Sequence, residues 1–331
     1  MLNPDLRRVA EKVYFTGNSV VDLRTDVVTI SSGCQEAFNM FSNIPQSSEA
    51  QRMIDGLFAQ QMQQNFGLEF VCLVDKPYTA LSCAVPKNMT IHYSPLEFDE
   101  YDFIDYHATE ERIKDFSECG GGNAIYIDNS SYPRQIDWNI IYNIASKVNL
   151  KVIANIGNTA GQILTGLNFS PESYADIIIG STAGTMGGMQ TTFVLSNEPL
   201  TPTVDILPAV TAANVQAVYE LHPSTGAKDK IQWPIKMLTR KMADILISEG
   251  IELCTSGTHQ NFLTIPRDPD TIGFLSKLEK KNIKVSTNRN YIIIDSTFGV
   301  KTGRSEEWFE KVAYDIADII NDHKRGNANG S

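Results

Sequence analysis

The sequence predicts an α/β protein with a large domain, built on a mixed but mainly parallel sheet, and a smaller C-terminal α/β domain. Short apolar runs alternate with amphipathic segments, which is the pattern of strands connected by covering helices. A proline-containing polar stretch, residues 198–230, divides this alternation in two. The chain has 331 residues, which exceeds the usual extent of one hydrophobic core and agrees with two domains.

The part before this stretch combines helical periodicity with buried-strand runs. Met53, Leu57 and Met62 fall near one face of a helix over 49–65, and residues 138–149 form a second amphipathic pattern. Continuous apolar runs of this length suit strands covered on both faces. The predicted strands are 68–74, 123–128, 150–156, 174–180 and 190–196.

The part after the stretch repeats the alternation on a smaller scale. A long helix is predicted over 233–250, with Pro234 in its first turn and Gly250 at its end, as helix termini favour. Strands and two further helices follow it. We expect an N-terminal helical segment (1–30), a large domain (31–231), a small domain (232–323) and a disordered tail (324–331).

Charge and cysteine content exclude several classes of function. The net charge is −11, from 28 basic and 39 acidic residues, which disfavours a nucleic-acid or anionic-membrane surface. The five cysteines share no metal-ligand spacing, so no metal site is expected. Unpaired thiols and a charged N-terminus without an apolar signal core favour a cytoplasmic protein.

The segment "STAGTMGG" (181–188) follows the apolar run "ADIIIG". A strand that ends in hydroxyls and glycines often presents a phosphate or a reactive side chain. This turn contains no lysine, histidine or acid, and we expect none of the other lysines to lie at the end of the same strand. The hydroxyls of Ser181 and Thr182 could bind an anion or cap the turn.

Five segments, in the same order, resemble serine hydroxymethyltransferase, a pyridoxal-phosphate enzyme of the aspartate-aminotransferase fold. They correspond to the family's tyrosine-containing loop, its Asp-x-x-His strand, its lysine-bearing strand, its Ser-Gly-Gly-Thr turn and its C-terminal arginine motif. The segments are "NSSYPRQIDW" (129–138), "NIGNTAGQILTG" (155–166), "DIIIGSTAGTMGG" (176–188), "KMADILISEGIELCTSGTHQNFLTI" (241–265) and "DSTFGVKTGRSEEW" (295–308). The resemblance implies the fold of pyridoxal-phosphate-dependent transferases and a two-fold dimer.

The same alignment lacks the groups that carry the family's chemistry. Gly184 stands at the position of the lysine that forms the internal aldimine. Asn155 replaces the aspartate that keeps the pyridine nitrogen protonated, and Asn158 replaces the histidine three residues later. The family's Ser-Gly-Ser turn, which binds the cofactor phosphate, corresponds to residues 77–79. Proline at this turn removes a backbone N–H donor, and tyrosine lacks the backbone freedom of glycine.

The resemblance leaves a remnant cleft and two candidate anion-binding side chains. The family's substrate-carboxylate arginine aligns with Thr302, and Lys301 and Arg304 flank this position as candidates for a substrate anion. No catalytic residue is assigned. The remnant cofactor cleft is assigned to Ser130, Asn155, Asn158, Ser181, Thr182 and Gly184.

Two hypotheses of different classes follow. In the first, the chain is a catalytically degenerate homologue that acts as a homodimer, or as a partner or regulatory subunit of an intact pyridoxal-phosphate-dependent paralogue. In the second, it is an enzyme or small-ligand binder that reuses the cleft for non-covalent pyridoxal phosphate or another anion, with Lys76, Lys301 or Arg304. An active hydroxymethyltransferase or aldolase is the least favoured alternative, and no covalent cofactor, nucleic acid or membrane is expected.

Overall fold

The structure is a computed structural model of the chain. It describes residues 96–118, 124–129, 132–157, 159–181, 184–188, 192–196, 216–217, 220–221, 223–266, 271–281, 283, 285–287 and 291–328, together with five short strands nearer the N-terminus. The predicted helix over 49–65 and the phosphate-cup segment 77–79 lie outside these residues.

A nine-stranded mixed sheet forms the centre of the described part of the chain. Its spatial order is β3-β2-β1-β9-β8-β7-β6-β4-β5, and the β5–β4–β6–β7–β8 half is parallel throughout. The strands are β1 (Val13–Phe15), β2 (Ser19–Asp22), β3 (Val27–Val28), β4 (Phe70–Cys72), β5 (His92–Tyr93), β6 (Ala124–Asp128), β7 (Lys151–Gly157), β8 (Ile177–Ser181) and β9 (Thr192–Ser196).

The predicted α/β class is confirmed, and the predicted strands 150–156 and 174–180 lie in the same sheet. Strands β7 and β8 run parallel, with Ile153 opposite Ile177 and Asn155 opposite Ile179. Strand β9 returns antiparallel to β8, which makes the sheet mixed. Parallel strands are buried on both faces, which explains why these runs are apolar without alternation.

The prediction of a helical segment over residues 1–30 is wrong for three short stretches, which form the strands β1, β2 and β3. They contain Val-Tyr-Phe, Ser-Val-Val-Asp and Val-Val, and β-branched and aromatic residues favour strands over helices. Strand β1 pairs with β9, so the N-terminal segment extends the main sheet on its antiparallel side.

Helices α1 (Tyr106–Glu118) and α2 (Trp138–Lys147) connect strands of the parallel half. Helix α2 begins where the side chain of Asp137 accepts a hydrogen bond from the Ile140 amide at 3.1 Å, a typical N-cap. Its buried residues Trp138, Ile141 and Ile144 recur at helical spacing and contribute to the same apolar cluster as β6 and β7. The predicted helix over 138–149 is therefore confirmed within two residues.

A second, three-stranded antiparallel sheet lies in the C-terminal part, in the order β10-β12-β11. Its strands are β10 (Phe262–Pro266), β11 (Ser286–Thr287) and β12 (Tyr291–Asp295). Four helices accompany it: α4 (Trp233–Ser248), α5 (Thr271–Lys280), α6 (Thr297–Lys301) and α7 (Glu306–Ala328). A separate cluster of buried side chains, among them Leu246, Leu263 and Phe309, forms the core here.

The predicted disordered tail begins too early, because α7 continues to Ala328. Lys324 and Arg325 are good helix formers, and positive charge near a helix C-terminus is favourable. Within the described residues, no helix combines the length and the apolarity that crossing a bilayer would require.

A buried polar network joins the loop after α3 (Ala160–Leu164) to α4 and to the segment before β10. The Asn168 amide donates to the side-chain oxygens of Gln162, at 2.8 Å, and Gln260, at 2.6 Å. The Lys236 ammonium donates to Asn168 Oδ1 at 2.9 Å, and Gln260 Nε2 donates to the Arg134 carbonyl at 2.9 Å. Since buried hydrogen-bonding groups tolerate few alternative partners, this network fixes how the two parts meet.

Candidate functional site

The turn after β8 is a short 3-10 helix, Gly184–Met186, packed between α3 and the start of α4. Thr185 is fully buried, and its hydroxyl accepts a hydrogen bond from the Gly161 amide at 3.0 Å. Its carbonyl accepts one from Gln232 Nε2 at 2.6 Å. The residue next to Gly184 therefore anchors the turn from both sides.

Glycine is required at position 161 because the turn approaches α3 closely. A Cβ atom at Gly161 would lie 2.5 Å from the Thr185 carbonyl oxygen and 2.9 Å from the Met186 nitrogen. Both obstacles are backbone atoms, which cannot move aside as a flexible side chain can. The glycine at the second position of α3 is thus explained by backbone packing.

Gly184 has a left-handed backbone conformation, with φ of 56°. Its carbonyl accepts a hydrogen bond from the Gly187 amide at 3.1 Å, which closes the turn. Side chains with a Cβ atom adopt this region at a cost, so the local backbone itself favours glycine. The absence of a lysine here is therefore matched by a turn shaped for a residue without a side chain.

Lys301, a sequence candidate for an anion contact, reaches this turn from the end of α6. Its ammonium donates to the Gly184 carbonyl, and a Cβ atom at Gly187 would lie 2.8 Å from Lys301 Nζ. Desolvation of the amine lowers the pKa of Lys301, while the carboxylates of Asp295 and Glu220 act to raise it. The expectation that none of the other lysines lies at the end of this strand is wrong, because Lys301 reaches the turn that follows β8.

Arg304, the other anion candidate, lies just before α7 and contacts that helix. Its guanidinium carbon is 5.5 Å from the centre of the Trp308 ring, at the start of α7. This distance fits a cation–π contact on an exposed surface. Among the described residues, the structure brings Lys301 but not Arg304 into hydrogen-bond contact with the Gly184 turn.

Asn155 lies near the end of β7, next to the strand that leads to Gly184. Its side-chain oxygen accepts a hydrogen bond from the Gly157 amide at 2.9 Å, where the β7–β8 register shifts. An amide used in this way shapes the strand end and supplies no negative charge. The residues present therefore do not fit pyridoxal phosphate in the family's manner, since neither the aldimine lysine nor the carboxylate for the ring nitrogen is there.

The remaining cleft residues are only partly placed. Ser181 is the last residue of β8, but its side chain lies outside the described part of the chain. Three other cleft residues lie wholly outside it: Ser130, Asn158 and Thr182. Their assignment to a remnant cleft stays a prediction. Among the described residues, no group of three or more His, Cys, Asp or Glu side chains could hold a metal ion.

Sequence reasoning missed the residues that hold the turn. Gln232, within a π-helical turn (Lys228–Gln232) that precedes α4, is fully buried and contacts the Thr185 carbonyl from far along the sequence. A polar side chain just before an amphipathic helix is ordinarily an N-terminal cap or a surface residue. Only its burial reveals its role, and no sequence signal distinguishes it.

The nine-stranded mixed sheet and the helices that accompany it define the class of this protein as α/β, and the similarity to the family below implies the fold of pyridoxal-phosphate-dependent transferases. A sequence model of the serine hydroxymethyltransferase family matches residues 88–207, which include β6, β7, β8 and the Gly184 turn. The chain is thus serine hydroxymethyltransferase-like, as its motifs predicted.

Two curated relatives give the extent of the similarity. The serine hydroxymethyltransferase of Campylobacter hominis is 23% identical over 337 aligned residues, covering 94% of this chain and 79% of that protein. The serine hydroxymethyltransferase of Rickettsia akari is 27% identical over 226 residues, covering 60% of this chain and 53% of that protein. Such identity leaves room for the loss of individual catalytic groups within a retained fold.

Proposed function

We propose that this chain is a catalytically degenerate serine hydroxymethyltransferase homologue that acts as a dimeric partner or regulatory subunit. Its main proposed partner is an active pyridoxal-phosphate-dependent paralogue. The observation that carries the proposal is Gly184, which stands in a left-handed turn where the family has its aldimine lysine. Asn155 adds a second, independent loss, because its amide bonds to its own strand.

Retention of the scaffold supports a role through association. The buried anchors of the turn, Thr185 and Gln232, are in place although the turn presents no reactive side chain of its own. Enzymes of this fold place their active sites at a two-fold interface, so a chain without chemistry can complete or restrain the site of a competent partner. The cytoplasm is the proposed compartment, on the basis of the cysteine pattern.

An absorbance titration with pyridoxal phosphate tests the catalytic part of the proposal. We expect no aldimine band, no lysine labelled after borohydride reduction, and no tetrahydrofolate-dependent conversion of serine to glycine. Pyridoxal phosphate stabilises an aldimine only where a positioned lysine is available. Reduction that labels one lysine stoichiometrically, or measurable serine cleavage, would show that the site is competent.

Co-expression tests the partner part separately. The chain and an intact homologue from the same genome are expected to co-elute in equal amounts, and the turnover of the homologue should differ from that of the homologue alone. An exposed-surface variant such as Lys147→Gln is a suitable control, since Lys147 is exposed and its ion pair with Glu110 connects α2 to α1 at the surface. Separate elution with unchanged turnover would contradict the proposal.

A second candidate function is favoured by one observation, the Lys301 ammonium at the Gly184 carbonyl. A cation at this turn would suit a small anionic ligand, including pyridoxal phosphate bound without a covalent bond. Equilibrium dialysis of wild type and Lys301→Gln against pyridoxal phosphate tests it. This function requires saturable binding that the substitution weakens at least several-fold; binding equal in both proteins would rule it out.

A further inference from the structure

Four basic side chains act on one another electrostatically across the loop after β6, α4 and the segment before β10. They are Arg134, Lys236, Arg240 and His259, and we call them the cationic cluster. No residue of the Gly184 turn takes part in it. The cluster belongs to a chain of net charge −11, in which an unbalanced group of cations is unexpected.

Arg134 makes all of its described hydrogen bonds to neutral groups. Its Nε donates to the hydroxyl of Thr255 at 3.1 Å, its Nη2 donates to the Thr255 carbonyl, and its Nη1 lies 2.8 Å from His259 Nε2. The guanidinium carbon is 5.3 Å from the centre of the Phe103 ring. A guanidinium carries five N–H groups, so one hydrogen on each terminal nitrogen remains for a further acceptor.

The contact with Arg134 defines the state of His259. A guanidinium can only donate, so Nε2 of His259 must accept, and the imidazole is neutral with its hydrogen on Nδ1. Desolvation lowers the pKa of His259, and the positive charges of Arg134, Lys236 and Arg240 lower it further. Among the described residues, the charged groups that act on His259 come from the β6 loop and from α4, and all are cations.

Helix α4 supplies the other two cations one turn apart. Lys236 and Arg240 are separated by four residues and therefore share a face of the helix. The Lys236 ammonium donates to the Leu167 carbonyl at 3.0 Å and to Asn168 Oδ1, which are again neutral acceptors. Burial lowers the pKa of Lys236.

Other basic side chains of the described part contrast with this cluster. Arg112, Lys147 and Lys281 each pair with a carboxylate, on Glu97, Glu110 and Asp315 respectively. Within the same part of the chain, no described carboxylate forms an ion pair with Arg134, Lys236 or Arg240. These three cations lack the charge compensation found elsewhere, and a bound anion would supply it.

We propose that the cationic cluster is a binding site for a small oxyanion, a sulfate, phosphate or carboxylate group, held by Arg134 and Arg240 with support from Lys236 and His259. The planar guanidinium of Arg134, fixed by Thr255 and the Phe103 ring, offers a preformed fork for two oxygen atoms. The site does not depend on the proposed partner role, because it uses none of the residues that distinguish a competent from a degenerate active site.

Calorimetric titration of the full chain with sodium sulfate at constant ionic strength tests the proposal, because sulfate does not titrate near neutral pH. We expect saturable binding, weakened about three- to tenfold by Arg240→Gln, as for the loss of one charge-assisted contact. The matched control is Arg325→Gln, an exposed arginine on α7, which should leave the affinity unchanged. Absence of saturable binding, or equal weakening in both variants, would overturn the site.

The pH dependence gives a readout that general charge attraction would not produce. As the pH falls through the lowered pKa of His259, the imidazole gains a proton and adds a positive charge, so sulfate affinity should rise in the wild type. His259→Gln should remove this rise, whereas His107→Gln, at an exposed position on α1, should retain it. An identical rise in both variants would assign the effect to other groups and contradict the proposal.

Phosphate and succinate, titrated at pH 7.5, distinguish the chemical source of the oxyanion. Stronger binding of phosphate indicates a phosphorylated ligand, and stronger binding of succinate indicates a carboxylate; each result supports the site. If neither competes with sulfate, the proposed site is wrong. None of these titrations depends on pyridoxal phosphate or on an intact homologue, so their failure is distinguishable from failure of the proposed function.

Discussion

Gly184 combines a missing side chain with a backbone conformation that disfavours replacing it. Its φ of 56° belongs to the left-handed region, and its carbonyl is held by both the Gly187 amide and the Lys301 ammonium. A lysine placed here must adopt this conformation or change the turn. Reintroducing one lost group is also insufficient where catalytic groups act as a unit.

We therefore predict that Gly184→Lys destabilises the protein by about 1–2 kcal/mol, the usual cost of a left-handed side-chain residue, and forms no productive aldimine. Urea unfolding and an absorbance scan with pyridoxal phosphate provide the measurements. Gly184→Asn is the matched control, since asparagine tolerates this region better and should lose less stability. A lysine variant as stable as the wild type, or one that converts serine, would show that the turn still accepts the family's chemistry.

Gly161 is constrained by contact rather than by its own angles. Gly161→Ala should lower the free energy of unfolding by about 2–3 kcal/mol, because the new methyl group would meet the Thr185 carbonyl at 2.5 Å. Gly166→Ala separates the cost of a steric contact from the cost of a positive φ, since Gly166 has φ of 70° but no atom within 4 Å of an added Cβ. It should lose only about 1 kcal/mol. Equal losses in chemical denaturation would mean that backbone packing at the turn is not the reason for Gly161.

At the scale of elements, the segment before β10 is strained and is held by the β6 loop. Thr255 and Ser256 have φ of 55° and 50°, which is uncommon for residues with side chains and a particular outlier for β-branched threonine. The Arg134 guanidinium donates a hydrogen bond to the Thr255 carbonyl. The Pro133 carbonyl accepts hydrogen bonds from the His259 amide at 2.8 Å and from the Thr258 hydroxyl at 3.1 Å. The contact between Arg134 and neutral His259 completes this connection.

This arrangement predicts how stability changes with pH in the absence of a bound anion. The pKa of His259 is lower in the folded than in the unfolded protein, so the unfolded chain binds more protons in the range between them. The contribution of His259 is fully present above its ordinary pKa of about 6.5 and is lost as the pH falls through the folded-state value. Stability should consequently rise with pH across this range.

Chemical unfolding between pH 5 and pH 8 measures the effect. His259→Gln should flatten this part of the profile, and His107→Gln, exposed on α1, should follow the wild type. The effect will be modest because the residue is exposed to solvent. A profile that His259→Gln leaves unchanged would show that the Arg134 contact does not hold the imidazole neutral.

For the whole molecule, the main prediction is association. The chain alone is expected to form a dimer through the large domain and the N-terminal segment, so light scattering at micromolar concentration should give about twice the chain mass of 36.7 kDa. In an isologous contact a single substitution alters the interface twice, so a charge introduced there should dissociate the dimer sharply. A monomer of 36.7 kDa, both alone and with a co-expressed homologue, would contradict association and favour the ligand-binding alternative.

The amino-acid sequence by itself determined the fold class and the family resemblance. Apolar runs such as those of β7 and β8 are continuous because both faces of the sheet are covered, and α2 follows its 3.6-residue period. Local patterns of this kind are readable because burial and periodicity are properties of neighbouring residues. The family resemblance located Gly184 and Asn155, since an ordered series of motifs fixes positions along the chain.

Only the tertiary structure decided which distant residues meet. Lys301 at the Gly184 carbonyl, Gln232 at Thr185 and Arg134 at His259 are pairs separated by 117, 47 and 125 positions. Propensity at one position contains no information about such contacts, which depend on how the two sheets and α4 pack. The N-terminal strand β1 shows the same limit, because its own residues favour an extended conformation but do not indicate that it pairs with β9, far along the chain.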